Sequence, residues 1–297
     1  MAFLLPPVDG PVSLPVKKLA RRQLSKVLAD LDHPSRSDDR KAYLARRRLK
    51  KVRALIHLVE GSLVDFDEVD ARLQGASRAL SPLRDAGAAI EVLARLYPLL
   101  NGLLTTKTCV ELHEAVVGQR IDLSDKAIAD AMASARASIQ TVVGGIGNWS
   151  VTPDTHYTLL DGLRQTYRMA RRRLRKAIRT GTDEDLHDWR RMVKYHRCHC
   201  RLMQERMPVI TDTRRHSLAE VSRLLGHHQD LIVLEEVLAA AGMKTAISGF
   251  IEGEKAGLRE RALKIGAPLF DSKPKAFSAV LYSSSVDSST RKSPSLT

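Results

Sequence analysis

His187, Arg190, Arg191, Lys194, Arg197 and Arg201 recur along one stretch of chain. Each residue of an α-helix advances about 100°, so these six fall within roughly a third of a helix circumference. Opposite them lie Leu186, Trp189, Met192, Val193, His196, Cys200 and Met203, which can face a core. An arginine fork grips two phosphate oxygens at once, a lysine acts as a mobile point charge, and a histidine gains charge as an anion approaches. Such a mixed row suits a flexible phosphate chain. Like charges three or four residues apart cost an isolated helix a few tenths of a kcal/mol per pair, and a bound anion would relieve that.

Two further rows share this design. Tyr43, Arg46, Lys50, Arg53 and His57 occupy one helical face, opposite Leu44, Leu49, Val52, Leu55, Leu58 and Val59, with Arg48 outside the pattern. Arg164, Arg168, Arg171 and Arg175 form a narrower ridge with Tyr167 beside it; the first-half counterpart offers Lys17, Lys18 and Arg21. Solvated helix faces with ordinary intrahelical pairs are the alternative reading. Repetition of the rows and the near absence of Asp and Glu within them weigh against it. Arg78 with Asp85, and Arg223 with Asp230, stand seven residues apart, so the acid either orients guanidinium groups or serves as a cap or local salt bridge. Pro82 and Gly226 predict helix breaks nearby.

Other chemistry finds less support. His196, Cys198, His199 and Cys200 are zinc-type ligands, but four ligands within five helical residues diverge and cannot meet at one ion. His227, His228 and Asp230 lack a second set of ligands, and no Gly-rich loop ahead of Lys-Ser or Lys-Thr and no GxSxG turn occurs. No enzymatic activity, metal or cofactor is expected.

Periodicity near 3.6 predicts helices over 14–31, 39–60, 67–85, 88–102, 107–117, 124–143, 155–180, 183–206, 212–227, 229–241 and 244–265, an all-α chain. Lys and Arg number 48 against 34 Asp and Glu, so the net charge of +14 points to a polyanionic partner. Aromatics at 4% argue against stacking on unpaired bases. Three cysteines imply a reducing compartment, and with no apolar run near 20 residues the expected location is the cytoplasm.

The chain is also internally duplicated. Ala20, Arg21, Arg22, Leu24 and Lys26 return as Ala170, Arg171, Arg172, Leu174 and Lys176; Arg46, Arg47, Lys50, Arg53 and Leu58 return as Arg190, Arg191, Lys194, Arg197 and Leu202. SRALSPLRDAGAAIEVL from Ser77 matches SRLLGHHQDLIVLEEVL from Ser222. This divides the chain into a first helical bundle over 1–148, a second over 149–270, and a Ser/Lys-rich flexible tail over 271–297, in which AFSAVLY is the patch able to dock.

HDWRRMVKYHR from His187, SRLLGHHQDLIVLEEVL and GLRQTYRMARRRLRKA together resemble the signatures of the CHAD domain, a helical domain named for its histidines. The resemblance covers about residues 14–265 and implies two four-helix bundles, related by a pseudo-two-fold, around a basic groove or pore that binds inorganic polyphosphate. The ligand-facing set it implies is Arg46, Lys50 and Arg53, then His187, Arg190, Lys194 and Arg197, with Arg171 and Arg175. Tyr43 stands where the first copy would carry its histidine, and the Glu-x-Glu-x-Lys mark of an attached CYTH triphosphatase is absent, Lys255 falling one place early. The rows themselves add Arg21, His57, Arg164, Arg168 and Arg201, and the two Arg–Asp pairs add Arg78 and Arg223, as candidate polyphosphate contacts. The expected function is non-enzymatic polyphosphate binding, with targeting to polyphosphate granules. Nucleic-acid binding is the alternative and metal-dependent polyphosphate hydrolysis a weaker one.

Overall fold

The computed structural model describes residues 3–7, 10–100, 105–118, 124–243 and 247–290. Among these the only β pairing is an isolated antiparallel bridge between Leu63 and Val151, so the fold is all-α. None of the described helices is long and apolar enough to cross a membrane.

Local sequence explains the two helical hairpins that matter most. Helix α1 (Ser13–Leu31) is followed after a short turn by α2 (Asp38–His57), where the Ser37 hydroxyl accepts from the Arg40 N–H and Asp38 and Asp39 complement the helix dipole. Helices α7 (His156–Thr180) and α8 (Asp183–Leu202) repeat the arrangement. Gly181 closes α7 at φ 65°, which a side chain would disfavour, and Thr182 caps α8 by accepting from the Asp185 N–H at 3.3 Å.

The two predicted breaks behave differently. The chain does turn at Leu80, between α3 (Phe66–Ala79) and α4 (Ser81–Leu100), where Pro82 sits in the first turn and needs no hydrogen-bond partner. No break occurs at Gly226, because α9 (Pro208–Ala240) runs through it. A helical glycine costs only about 1 kcal/mol, and Leu224, Leu225, Leu231 and Leu234 are buried on either side of it. Helices α5 (Thr106–Gly118), α6 (Asp125–Gly145), α10 (Ser248–Leu269) and α11 (Pro274–Thr290) complete the described set.

Two apolar cores hold these helices, and each draws on both repeats. The larger runs through α1, α2, α3 and α6 into α7 and α8; the smaller joins Leu93, Leu96 and Leu112 of α4 and α5 to Leu231, Leu234 and Ile251 of α9 and α10. The segment linking the repeats is stitched down by Val64 N–H to Ser150 O at 2.9 Å and Thr152 N–H to Ser62 O at 2.7 Å. Gly162 of α7 lies against the Leu58 carbonyl at the end of α2, where any Cβ would collide with backbone. His199 Nε2 donates to the Ala54 carbonyl at 2.7 Å. Together these interactions bring α2 beside α8.

The C-terminal segment differs from the flexible tail expected over 271–297. Helix α11 docks on α7 through Phe277 and Leu281, both buried, with Phe277 stacked on Tyr167 at 3.9 Å between centroids. Tyr167 donates to the Ser272 carbonyl at 2.8 Å, and the Arg214 guanidinium lies 5.2 to 5.5 Å from the rings of Tyr167, Phe270 and Phe277. Average composition missed this because two apolar residues four apart suffice when a receiving surface already exists. Residues 291–297 lie outside the described chain. Phe277→Ala should therefore lower stability by about 3 kcal/mol, read as a lower denaturant midpoint with unchanged slope.

Candidate anion-binding site

The packing of α2 on α8 gathers cations from both repeats. Lys194 is half-buried, and burial, then Arg190, then Lys50 across the interface, then Arg197 push its pKa down to about 7, with Asp230 pulling the other way. Asp230 of α9 is itself engaged by Arg95 of α4 at 3.3 Å, so it acts as a cross-repeat salt bridge within a continuous helix, not as a cap. The Asp85 side chain lies outside the described residues. Among those described, Lys194, Arg197 and Arg201 form no ion pair.

Equivalent arginines of the two repeats are seated alike. Arg46 donates to the Ser77 carbonyl at 2.8 Å and to the Ser81 hydroxyl. Arg190 lies against Gly226, 3.9 Å from where a Cβ would stand, and Ser81 and Gly226 hold the same place in the duplicated motif. Both guanidinium groups thus lie against a small residue at the same place of the duplicated motif. His187 Nδ1 donates to Gln229 Oε1 at 2.5 Å, which orients the ring.

Other members of the rows are neutralised by acids from outside them. Arg53 makes a bidentate pair with Asp70 of α3 at 2.7 and 2.8 Å, and His57 sits between Asp70 at 3.4 Å and Glu60 at 2.9 Å. Burial alone would raise the Asp70 pKa, yet bonds from His57 and Arg53 hold it far below the carboxylate range; burial would lower the His57 pKa, yet Asp70 and Glu60 hold it above its ordinary value. Arg223 is gripped by Glu220 at 2.6 and 2.9 Å, Arg164 pairs with Asp161 at 3.0 Å, and Arg191 with Asp188 at 3.1 Å. Arg48, outside the stripe, bonds the buried Asp30 of α1. Arg21 and Arg78 are exposed on their own helices. Among the described residues, therefore, Lys194, Arg197 and Arg201 stay outside ion pairs, whereas Arg53, His57, Arg164, Arg191 and Arg223 are paired with acids.

One consequence can be measured. Asp70→Asn should free Arg53 and His57 for anions, raising polyanion affinity several-fold while lowering stability by about 1–3 kcal/mol at neutral pH. Because the Asp70 pKa is depressed, its stabilising effect is present above the unfolded carboxylate pKa of about 4 and is lost as acid titrates it, so the wild type and variant should converge at low pH.

The α7 ridge makes a surface of its own. Arg168, Arg171, Arg172, Arg175 and Arg179, with Arg173, Lys176 and Pro274, line a hollow of about 480 Å³ to which neither α2 nor α8 contributes. Arg173 is paired with Asp188 at 2.8 Å and Lys176 with Asp185 at 2.7 Å, whereas Arg171 donates to the Asp271 carbonyl at 3.0 Å. Arg168, Arg172, Arg175 and Arg179 form no ion pair among the described residues.

The profile of the CHAD domain matches residues 14–239. The chain belongs to the CHAD domain family. Its fold is similar to that of PptA from Streptomyces chartreusis, with a TM-score of 0.60 and 16% identity over 89% of this chain and 100% of that one. It is also similar to the CHAD domain from the plant Ricinus communis, with a TM-score of 0.50 and 14% identity over 95% of both chains. No sequence among curated proteins matches it significantly. The CHAD match stops before α10, so α10 and α11 lie beyond it.

Within the CHAD domain the His and Cys cluster of α8 is structural. His196 and His199 are fully buried, both 3.2 Å from the Thr166 hydroxyl through Nδ1. Burial pushes the His199 pKa down to about 3 and those of Cys198 and Cys200 up to about 12, so the ring is neutral and the thiols stay protonated. Sequence reasoning missed Asp70, Gln229 and Arg95. Gln229 was within reach, since it stands beside Asp230 in the duplicated motif; Asp70 and Arg95 have no local signal.

Proposed function

We propose that this CHAD domain binds inorganic polyphosphate where α2 meets α8 and does not hydrolyse it. The observation that carries this reading is the cluster of Lys50, Arg190, Lys194 and Arg197, contributed by both repeats, in which burial first and the neighbouring cations second lower the Lys194 pKa to about 7. Like charges held together in a partly desolvated place raise the free energy of the empty protein, and a linear polyanion relieves that repulsion along its length. His187, oriented by Gln229, adds a donor one turn before Arg190. Recruitment to polyphosphate granules would follow from this affinity.

Competition titration tests the reading. Long-chain polyphosphate should displace a DNA duplex with at least about tenfold preference at near-physiological salt, both affinities falling steeply with ionic strength through counterion release. Equal affinity for the two polymers would favour nucleic acid, bound on the exposed α7 ridge. Phosphorus NMR after prolonged incubation with Mg²⁺ or Mn²⁺ should show no released orthophosphate; its appearance would make the protein a hydrolase.

A further inference from the structure

We propose that the hollow on α7 is a second anion site, separate from the α2–α8 cluster, and that it takes a compact small molecule carrying several phosphates. Arg168, Arg171, Arg172, Arg175 and Arg179 line it, with Pro274 at one wall, around a volume of about 480 Å³. The two remaining cations are already committed, Arg173 to Asp188 at 2.8 Å and Lys176 to Asp185 at 2.7 Å. Among the described residues no acid pairs with the other five. Arg168, Arg172, Arg175 and Arg179 are exposed, while Arg171 donates to a neutral group, the Asp271 carbonyl at 3.0 Å, and its Nε is buried without an acceptor. Cations three and four residues apart repel one another, and a bound polyanion relieves that repulsion.

The shape of the patch selects the ligand. At about 100° and 1.5 Å per residue, these five arginines spread over about 16 Å along α7 and about 100° of its circumference, roughly 10 Å across. A linear chain engages one row of such a patch. Phosphates set around a small ring or a branched scaffold engage it in both directions, each gripped by a planar guanidinium fork. The volume is that of a small-molecule site. Pro274 is the one lining residue other than Arg and Lys, so a nucleobase finds no aromatic ring to stack on.

The wall at Pro274 couples the hollow to α11. That helix lies beyond the CHAD match and is held on α7 by the Phe277–Tyr167 stack and by the Tyr282 hydroxyl, which donates to Asp161 at 2.8 Å. One side of the site thus depends on α11 being docked. A ligand that fills the hollow therefore stabilises docking, and docking strengthens binding by the same factor.

The probe is myo-inositol hexakisphosphate, titrated calorimetrically into the full chain at near-physiological salt, with long-chain polyphosphate titrated in parallel. Wild type is compared with Arg172→Ala/Arg175→Ala and with Arg190→Ala/Arg197→Ala, circular dichroism confirming that both variants are folded. The expected result is one probe molecule per chain, at least about tenfold weaker binding in the α7 variant, and a change below about threefold in the α8 variant. Polyphosphate should show the reverse order. Failure of the wild type to bind the probe saturably, or a loss in the α8 variant as large as in the α7 variant, overturns the proposal. Loss of both ligands in the α7 variant alone makes the hollow the polyphosphate site itself and overturns it as a separate one. Hydrogen exchange over residues 274–283 reads the coupling: saturating probe should slow it at least about threefold in the wild type, and unchanged exchange overturns the part given to α11.

Discussion

Replacing Arg190, Lys194 and Arg197 together with alanine is expected to weaken polyphosphate binding at least a hundredfold at near-physiological salt, with no loss of helical signal. Hydrogen bonds to charged groups contribute about 1.5–3 kcal/mol each, so three of them, even with incomplete additivity, exceed the roughly 2.7 kcal/mol that a hundredfold change requires. The dependence of affinity on salt should also flatten, by about 0.7 in logarithmic slope for each phosphate of a single-stranded polyanion that is no longer neutralised. Folding should not suffer, because Arg197 is exposed, Lys194 is only half-buried, and the variant removes repulsion. The control is the matching triple change at Arg168, Arg172 and Arg175 on α7, which should weaken binding far less. An equal loss in both variants would place the site on the α7 ridge.

Polyphosphate affinity should fall as pH rises from 7 towards 9, by up to tenfold per pH unit, with uptake of one proton per cluster on binding. The sign follows from Lys194. Its pKa in the free protein is about 7, and an approaching polyanion favours the ammonium form, so the bound-state pKa is higher. Between the two values binding carries a proton with it, and below about pH 6 this group adds no further dependence. Calorimetry at pH 8 in two buffers of different ionisation heat measures the uptake. Lys194→Arg should retain affinity and lose the pH dependence, since a guanidinium stays charged throughout. A flat wild-type affinity from pH 6 to 9 would contradict the assignment.

The same linkage has a stability face. The folded-state pKa of Lys194 lies below that of an unfolded lysine near 10.4, so the unfolded chain binds more protons between pH 7 and 10. The contribution of this residue to folding therefore improves as pH rises through that window. Lys194→Met should be more stable than the wild type near neutral pH, with the difference shrinking towards pH 10.

Several features were legible from residue order alone. Helical periodicity places His187, Arg190, Lys194 and Arg197 on one face because a fixed rotation per residue is a local property, and α7 and α8 appear within a few residues of their expected ends. The duplication was equally readable, and with it the correspondence of Arg46 to Arg190 that the structure expresses as two arginines seated against equivalent small residues.

What tertiary structure alone decided is which charges survive as charges. Arg53 and Arg197 are equivalent in the repeat and alike in local sequence, yet Arg53 is held by Asp70 from α3 while Arg197 forms no ion pair among the described residues. No periodicity within one helix can reveal an acid delivered by another. Nor can it reveal that Lys50 comes to bear on Lys194, that Arg190 lies against Gly226 of α9, or that α7 already offers the surface on which α11 docks. Electrostatic and packing energies depend on distance through space, and the chain sets that distance only after its helices have found their partners.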